Sequence, residues 1–189
     1  MISVIALWVL VLFETVLLFL LLRGLGKLRE RITASSNQEQ PFADRGLALG
    51  TQAPAFVALN HEGRSIALED TQGQWRILAF VAPGCSACES TIETLNAFVK
   101  ERTDLAVLIV GGADRLANHT LATEHHTRMP VLTPTANLAR DMYLIRGTPF
   151  LYILDEKGTI RAKGIVNDAE HLQQLLMDAN APMPLSQTH

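Results

Sequence analysis

Apolar residues along this chain fall into three kinds of run, and each predicts a different element. The first covers residues 2–22 (ISVIALWVLVLFETVLLFLLL) and is interrupted only by Ser3, Glu14 and Thr15. A helix of about 20 such residues crosses roughly 30 Å of hydrocarbon, so 2–22 reads as a single transmembrane anchor. A cleavable signal would start with basic residues and carry an apolar core of about 7–15 residues. No basic side chain precedes this span. The second kind is short and unbroken: 77–81 (ILAFV) and 105–110 (LAVLIV), bounded by charge or glycine. Such runs predict strands buried on both faces. The third is periodic: from Glu89 onward Ile92, Leu95 and Val99 recur at helical spacing, with Phe98 beside them.

The polar stretches set the boundaries. Residues 23–47 follow the anchor as a tether, basic in its first part (Arg23, Lys27, Arg29, Arg31) and polar with scattered Pro and Gly afterwards. The folded domain is expected over 48–180, with a flexible tail at 181–189. Within it, 56–59 and 65–68 flank the turn signal Asn60-His61-Glu62-Gly63 and predict a hairpin. The two buried strands with a helix between them make a βαβ unit, which crosses over right-handed. A polar helix over 113–127, a short strand at 129–132 and a small helix over 137–143 follow. Strand 150–154, the turn Asp155-Glu156-Lys157-Gly158 and a return strand within 159–166 come next. Asp168 caps a last helix to about residue 179. The fold class is α/β.

Formal net charge is −3, and no basic patch is sustained outside 23–31. Nucleic acid is excluded as a partner on that ground. Glu14 inside the span costs roughly 2.5–3.5 kcal/mol on insertion scales. Either its apolar neighbours carry it or it touches a membrane partner.

The chemistry lies between strand and helix. Pro83-Gly84 breaks the strand, and Cys85-Ser86-Ala87-Cys88 opens the helix. These are the chain's two cysteines, too few for a disulfide framework. Unpaired N–H groups and the positive dipole end at a helix N-terminus favour thiolate, the reactive form. Cys85 comes first and is expected to be the exposed nucleophile. Cys88, one turn deeper, closes a disulfide or resolves a mixed one. No metal or separate cofactor is expected: zinc takes four ligands, no second CxxC or HxxxH occurs, and His119, His125 and His126 fall in a polar stretch.

In this order of elements the chain resembles the thioredoxin superfamily over about 48–180, and its membrane-tethered, TlpA-like branch in particular. The resemblance rests on Trp75, Pro83, Cys85, Cys88, Gly147-Thr148-Pro149 and the 155–158 hairpin. It implies that Pro149 is cis and lies beside the dithiol, and that Thr148 and Pro149 position an extended substrate peptide. It also implies that Trp75, Pro83, Gly84, Ser86 and Ala87 shape the site. The anchor, the basic LRGLGKLRER segment, Gly50, Ala53, Pro54, Phe56, PGCSAC and GTPF together resemble the MauD family of methylamine-utilisation proteins.

Membership implies a thiol–disulfide oxidoreductase of the bacterial inner membrane. Its protein substrate would be the small (β) subunit of methylamine dehydrogenase, matured in the periplasm. Ser86-Ala87 stands where such sites often carry a proline, so oxidase, isomerase and reductase directions all stay open. Two other readings are a membrane-tethered interaction scaffold and a copper-delivery module, although such modules usually space their cysteines by three residues. A thiol peroxidase needs a threonine where Ala82 stands. The basic residues after the span argue for a cytoplasmic domain by the positive-inside rule, and the expected chemistry argues for a periplasmic one.

Overall fold

A central strand, apolar on both faces, holds the molecule together. The computed structural model describes residues 46–102, 104–135 and 138–182, together with Trp8 and Glu14. Apart from those two residues, the expected anchor and nearly all of the tether lie outside the described residues, as does the tail beyond Pro182. Among the described residues no helix is long and apolar enough to cross a membrane.

In chain order the elements are β1 (Val57–Asn60), β2 (Ser65–Ala67), β3 (Trp75–Phe80), α1 (Ser86–Glu101), β4 (Leu105–Val110), α2 (Arg115–Glu124), β5 (Val131–Thr133), β6 (Phe150–Leu154), β7 (Ile160–Gly164) and α3 (Ala169–Asp178). The described strands form one sheet in the order β2-β1-β5-β4-β3-β6-β7. β3, β4 and β5 run parallel, and the remaining pairs are antiparallel.

Alternation along β3 explains the two cores. Ile77, Ala79 and Val81 face the helices and pack with Cys88, Ile92, Leu95, Leu172 and Leu176. Leu78 and Phe80 face the other way and pack with Phe56, Leu132, Tyr143, Phe150 and Tyr152. Both faces being covered is why the strand reads as continuous apolar sequence.

The second face is closed by tyrosines. Tyr143 packs on Phe80 with ring centroids 5.0 Å apart, and its hydroxyl donates to the Pro54 carbonyl at 2.6 Å. Tyr152 Oη donates to the Tyr143 carbonyl at 2.7 Å and accepts the Leu47 N–H at 2.8 Å. Lys163 Nζ donates to the Leu47 carbonyl at 2.8 Å. Gly46 sits over this cluster at φ +76, where a Cβ would collide with Tyr152 Oη. Only glycine fits there.

Three details differ from the sequence expectation. The hairpin starts one residue later than 56 and is stitched into the main sheet, with Leu59 opposite Thr133 and Asn60 opposite Leu132. A short 3-10 turn, Leu68–Thr71, replaces the last residue of the expected second strand. The small helix expected over 137–143 is one widened turn, Leu138–Met142, closed by the Tyr143 N–H on the Leu138 carbonyl at 3.1 Å. The extra width delivers Tyr143 onto Phe80.

Candidate active site

The dithiol lies where β3 leaves the sheet. The Val81 N–H still bonds the Val110 carbonyl at 2.9 Å, holding the exit of β3 against β4. Gly84 then takes φ +73, a conformation that favours glycine. The turn ends on Cys85, the N-cap of α1 in extended conformation. Its Sγ accepts the Cys88 N–H at 3.2 Å, so one orphan donor of the helix start points at the first sulfur.

Cys85 and Cys88 are joined as a disulfide, with Cα atoms 5.2 Å apart. Their surroundings differ. Cys85 is half-buried and open on one side. Cys88 is 0% exposed, in a cluster whose other buried members are all apolar. Thr91, one turn on, donates its hydroxyl to the Val166 carbonyl at 2.6 Å and ties α1 to the segment before α3.

The loop before β6 meets the same sulfur. The Thr148–Pro149 peptide is cis, Thr148 is exposed and Pro149 is buried. Thr148 Oγ1 donates to Cys85 Sγ at 3.8 Å, a long contact to sulfur. The Thr148 carbonyl lies equally close, at 3.8 Å. A disulfide sulfur has no proton to donate, so this second approach becomes a hydrogen bond only in the protonated thiol. Pro83, Gly84, Ser86 and Ala87 are exposed around the pair.

Trp75, expected to shape the site, lies away from it. It opens β3 and packs against the helix-side core, whereas the cysteines follow the strand's other end. At about 3.3 Å per residue, the five steps to Phe80 alone put roughly 17 Å between them. Its neighbour Arg76, buried at the same far end, donates to the carbonyls of Asp155 at 2.9 Å, Glu156 at 3.3 Å and Leu68 at 3.5 Å. Burial lowers the Arg76 guanidinium from its ordinary value. An arginine set between Trp75 and the apolar run 77–81 is the signal for that staple.

Nothing in the sequence pattern singles out Asn118, and His61 enters it only as part of a turn. Asn118 is fully buried beneath the Gly111–Gly112 turn. His61 Nδ1 accepts the Val131 N–H at 3.2 Å, and the ring packs near His119. Among the described residues no group of three or more His, Cys, Asp or Glu is placed to hold a metal ion.

Joining and parting two sulfurs at a helix N-terminus is the chemistry of thiol–disulfide oxidoreductases, and this chain is one, built on a thioredoxin-like fold. Its sequence is 25% identical over 126 residues to the thiol-disulfide oxidoreductase ResA of Bacillus cereus, covering 65% of this chain and 73% of that one. In structure it resembles a putative thiol:disulfide interchange protein DsbE from Chlorobium tepidum, with a TM-score of 0.64 at 21% identity over 70% of this chain and 98% of that one. At that identity the likeness speaks for the fold alone.

Residues 49–163 match the AhpC/TSA family. The methylamine utilization protein MauD of Paracoccus denitrificans is 31% identical over 181 residues, 92% of this chain and 86% of the relative. The chain belongs to the AhpC/TSA family and to the MauD proteins.

Proposed function

We propose that this chain is a membrane-anchored thiol–disulfide oxidoreductase that assists maturation of the methylamine dehydrogenase small (β) subunit. The observation that carries the reading is the inequality of the two sulfurs: one half-open at the helix start, the other sealed in the apolar core. A client thiolate attacks Cys85 Sγ, the Cys85–Cys88 bond breaks, and Cys88 leaves and takes a proton. A second client thiolate then attacks the client sulfur of the mixed disulfide and expels Cys85. Two electrons pass to the dithiol and the client gains one disulfide. Run backwards, the same steps reduce a client, and relative potentials set the direction. Kinship with MauD supports methylamine utilisation as the setting.

Because Cys85 caps α1 and accepts a helix N–H, its thiol in the reduced protein should titrate below the ordinary value of about 8.5. Thiolate absorbance against pH, in the wild type and in Cys88→Ser, checks this. An apparent pKa at or above the free-thiol value would remove the helix start as the activating element.

Residues 2–22 are the anchor, and the domain faces the periplasm. A glutathione-buffered cytosol keeps such thiols reduced, which outweighs the opposing pull of Arg23, Lys27, Arg29 and Arg31. Glu14 offers a contact to a membrane partner. Alkaline phosphatase fused after His189 should be active and green fluorescent protein dark; the reverse pair places the domain inside. The full chain in detergent should speed thiol loss from reduced small subunit at least about tenfold over buffer. No acceleration, with the protein folded, would sink the assignment of client.

A further inference from the structure

The turn after β4 is held in a way that the exchange chemistry above does not use. Asn118, on α2, is 0% exposed. Its Oδ1 accepts the Gly112 N–H at 3.0 Å, and its Nδ2 donates to the Gly112 carbonyl at 2.7 Å. The same Nδ2 donates to Thr133 Oγ1 at 2.9 Å on β5. One carboxamide thus satisfies both backbone groups of one glycine and braces itself on the sheet. The fit leaves no slack, because a Cβ on Gly111 would run into the Asn118 side chain.

Gly112 then meets the redox site. A Cβ placed on it would lie 3.4 Å from Pro83 Cδ and 3.9 Å from Cγ, so Gly112 faces the Pro83 ring across a gap that one methyl would fill. Pro83 stands two residues before Cys85 and is exposed beside it. The Gly111 N–H is also fixed, on the Leu132 carbonyl at 2.9 Å. A buried amide of this kind is held strictly, since each unmade bond leaves a desolvated polar group.

We propose that Asn118 is a positioning residue for the redox site. Its carboxamide sets the Gly111–Gly112 turn as a wall against Pro83, and the wall fixes the path by which a polypeptide reaches Cys85. The inference rests on the reading of Cys85 as the sulfur that meets the client. Asn118 touches no reacting atom; it acts through Gly112 and Pro83.

The test uses the full chain in detergent and disulfide-bonded insulin as a probe of polypeptide access, with dithiothreitol regenerating the dithiol and rates expressed per folded molecule. Asn118→Ala removes both bonds to Gly112. Thr133→Val removes only the brace on the far side of the carboxamide and serves as the stability control. Asn118→Ala should raise KM for the protein substrate about tenfold with kcat changed less than about twofold, whereas Thr133→Val should move KM less than about twofold. If both variants lose activity only in proportion to lost folded protein, Asn118 is a packing residue and the proposal fails.

Should Asn118→Ala not fold, Gly112→Ala replaces it. Its added methyl makes ordinary contact with Pro83 and alanine keeps the backbone groups that Asn118 binds, yet it fills the gap between the turn and the Pro83 ring. A raised KM supports the wall, and an unchanged KM overturns it. Exchange abolished in the wild type itself would instead count against the reading of Cys85, which Cys85→Ser checks separately.

Discussion

Cys85→Ser should lower thiol–disulfide exchange by at least about a thousandfold, because no second sulfur in the chain can take its place at the surface. Cys88 is 0% exposed and enclosed by apolar side chains. A client disulfide has no approach to it while α1 is folded. Cys88→Ser should fail differently. Cys85 then still attacks and forms the mixed disulfide, but nothing inside the protein resolves it. Incubation of reduced Cys88→Ser with an excess of a disulfide-bonded protein should therefore accumulate a covalent adduct, visible on a non-reducing gel and lost with dithiothreitol. Cys85→Ser should give no adduct under the same conditions. An adduct on Cys85→Ser and none on Cys88→Ser would exchange the two roles and place the open sulfur wrongly.

That asymmetry is legible in the sequence, and the reason is local. A strand buried on both faces has to be continuously apolar, so 77–81 could be read directly. A helix has a definite start, so a CxxC placed there exposes its first sulfur and sinks its second by one turn. What stayed hidden depended on distant pairing. β1 and β5 are only four and three residues long, and their register, Leu59 on Thr133, joins segments more than seventy residues apart. No periodicity records such a partnership.

Asn118 was hidden for the same reason. In a polar helix it looks like any solvated residue until α2 folds back over the Gly111–Gly112 turn. Trp75 was misplaced for the opposite reason, since a residue ten positions before Cys85 on a strand aimed at the site lies at the far end of it. The resemblance to thioredoxin carried Trp75 into the site; strand direction takes it out.

The tyrosine cluster behind the sheet gives the second large effect, and the chain makes it easy to see. It has two tyrosines, Tyr143 and Tyr152, both 0% exposed and 5.7 Å apart between ring centroids. Burial pushes the Tyr152 phenol up to about 12, against the pull of the Leu47 N–H that would lower it. Burial raises the Tyr143 phenol further still. An unfolded chain gives up these protons near pH 10.

The native state holds protons that the unfolded state releases, so this part of the stability is whole below about pH 10 and falls as pH rises toward and through about 12. For Tyr152 alone the loss is on the order of 3 kcal/mol, a sizeable share of a typical domain's margin of about 5–15 kcal/mol. Tyrosinate absorbance should therefore stay flat through pH 10 and rise in one cooperative step that coincides with loss of the far-ultraviolet circular dichroism. In Tyr152→Phe the Leu47 N–H and Tyr143 carbonyl lose their hydroxyl partner. The step should move to lower pH and halve in amplitude, with Tyr143 as its only source. A broad titration centred near pH 10, while the dichroism stays native, would mean that the phenols are open to water and that the back face is not sealed as described.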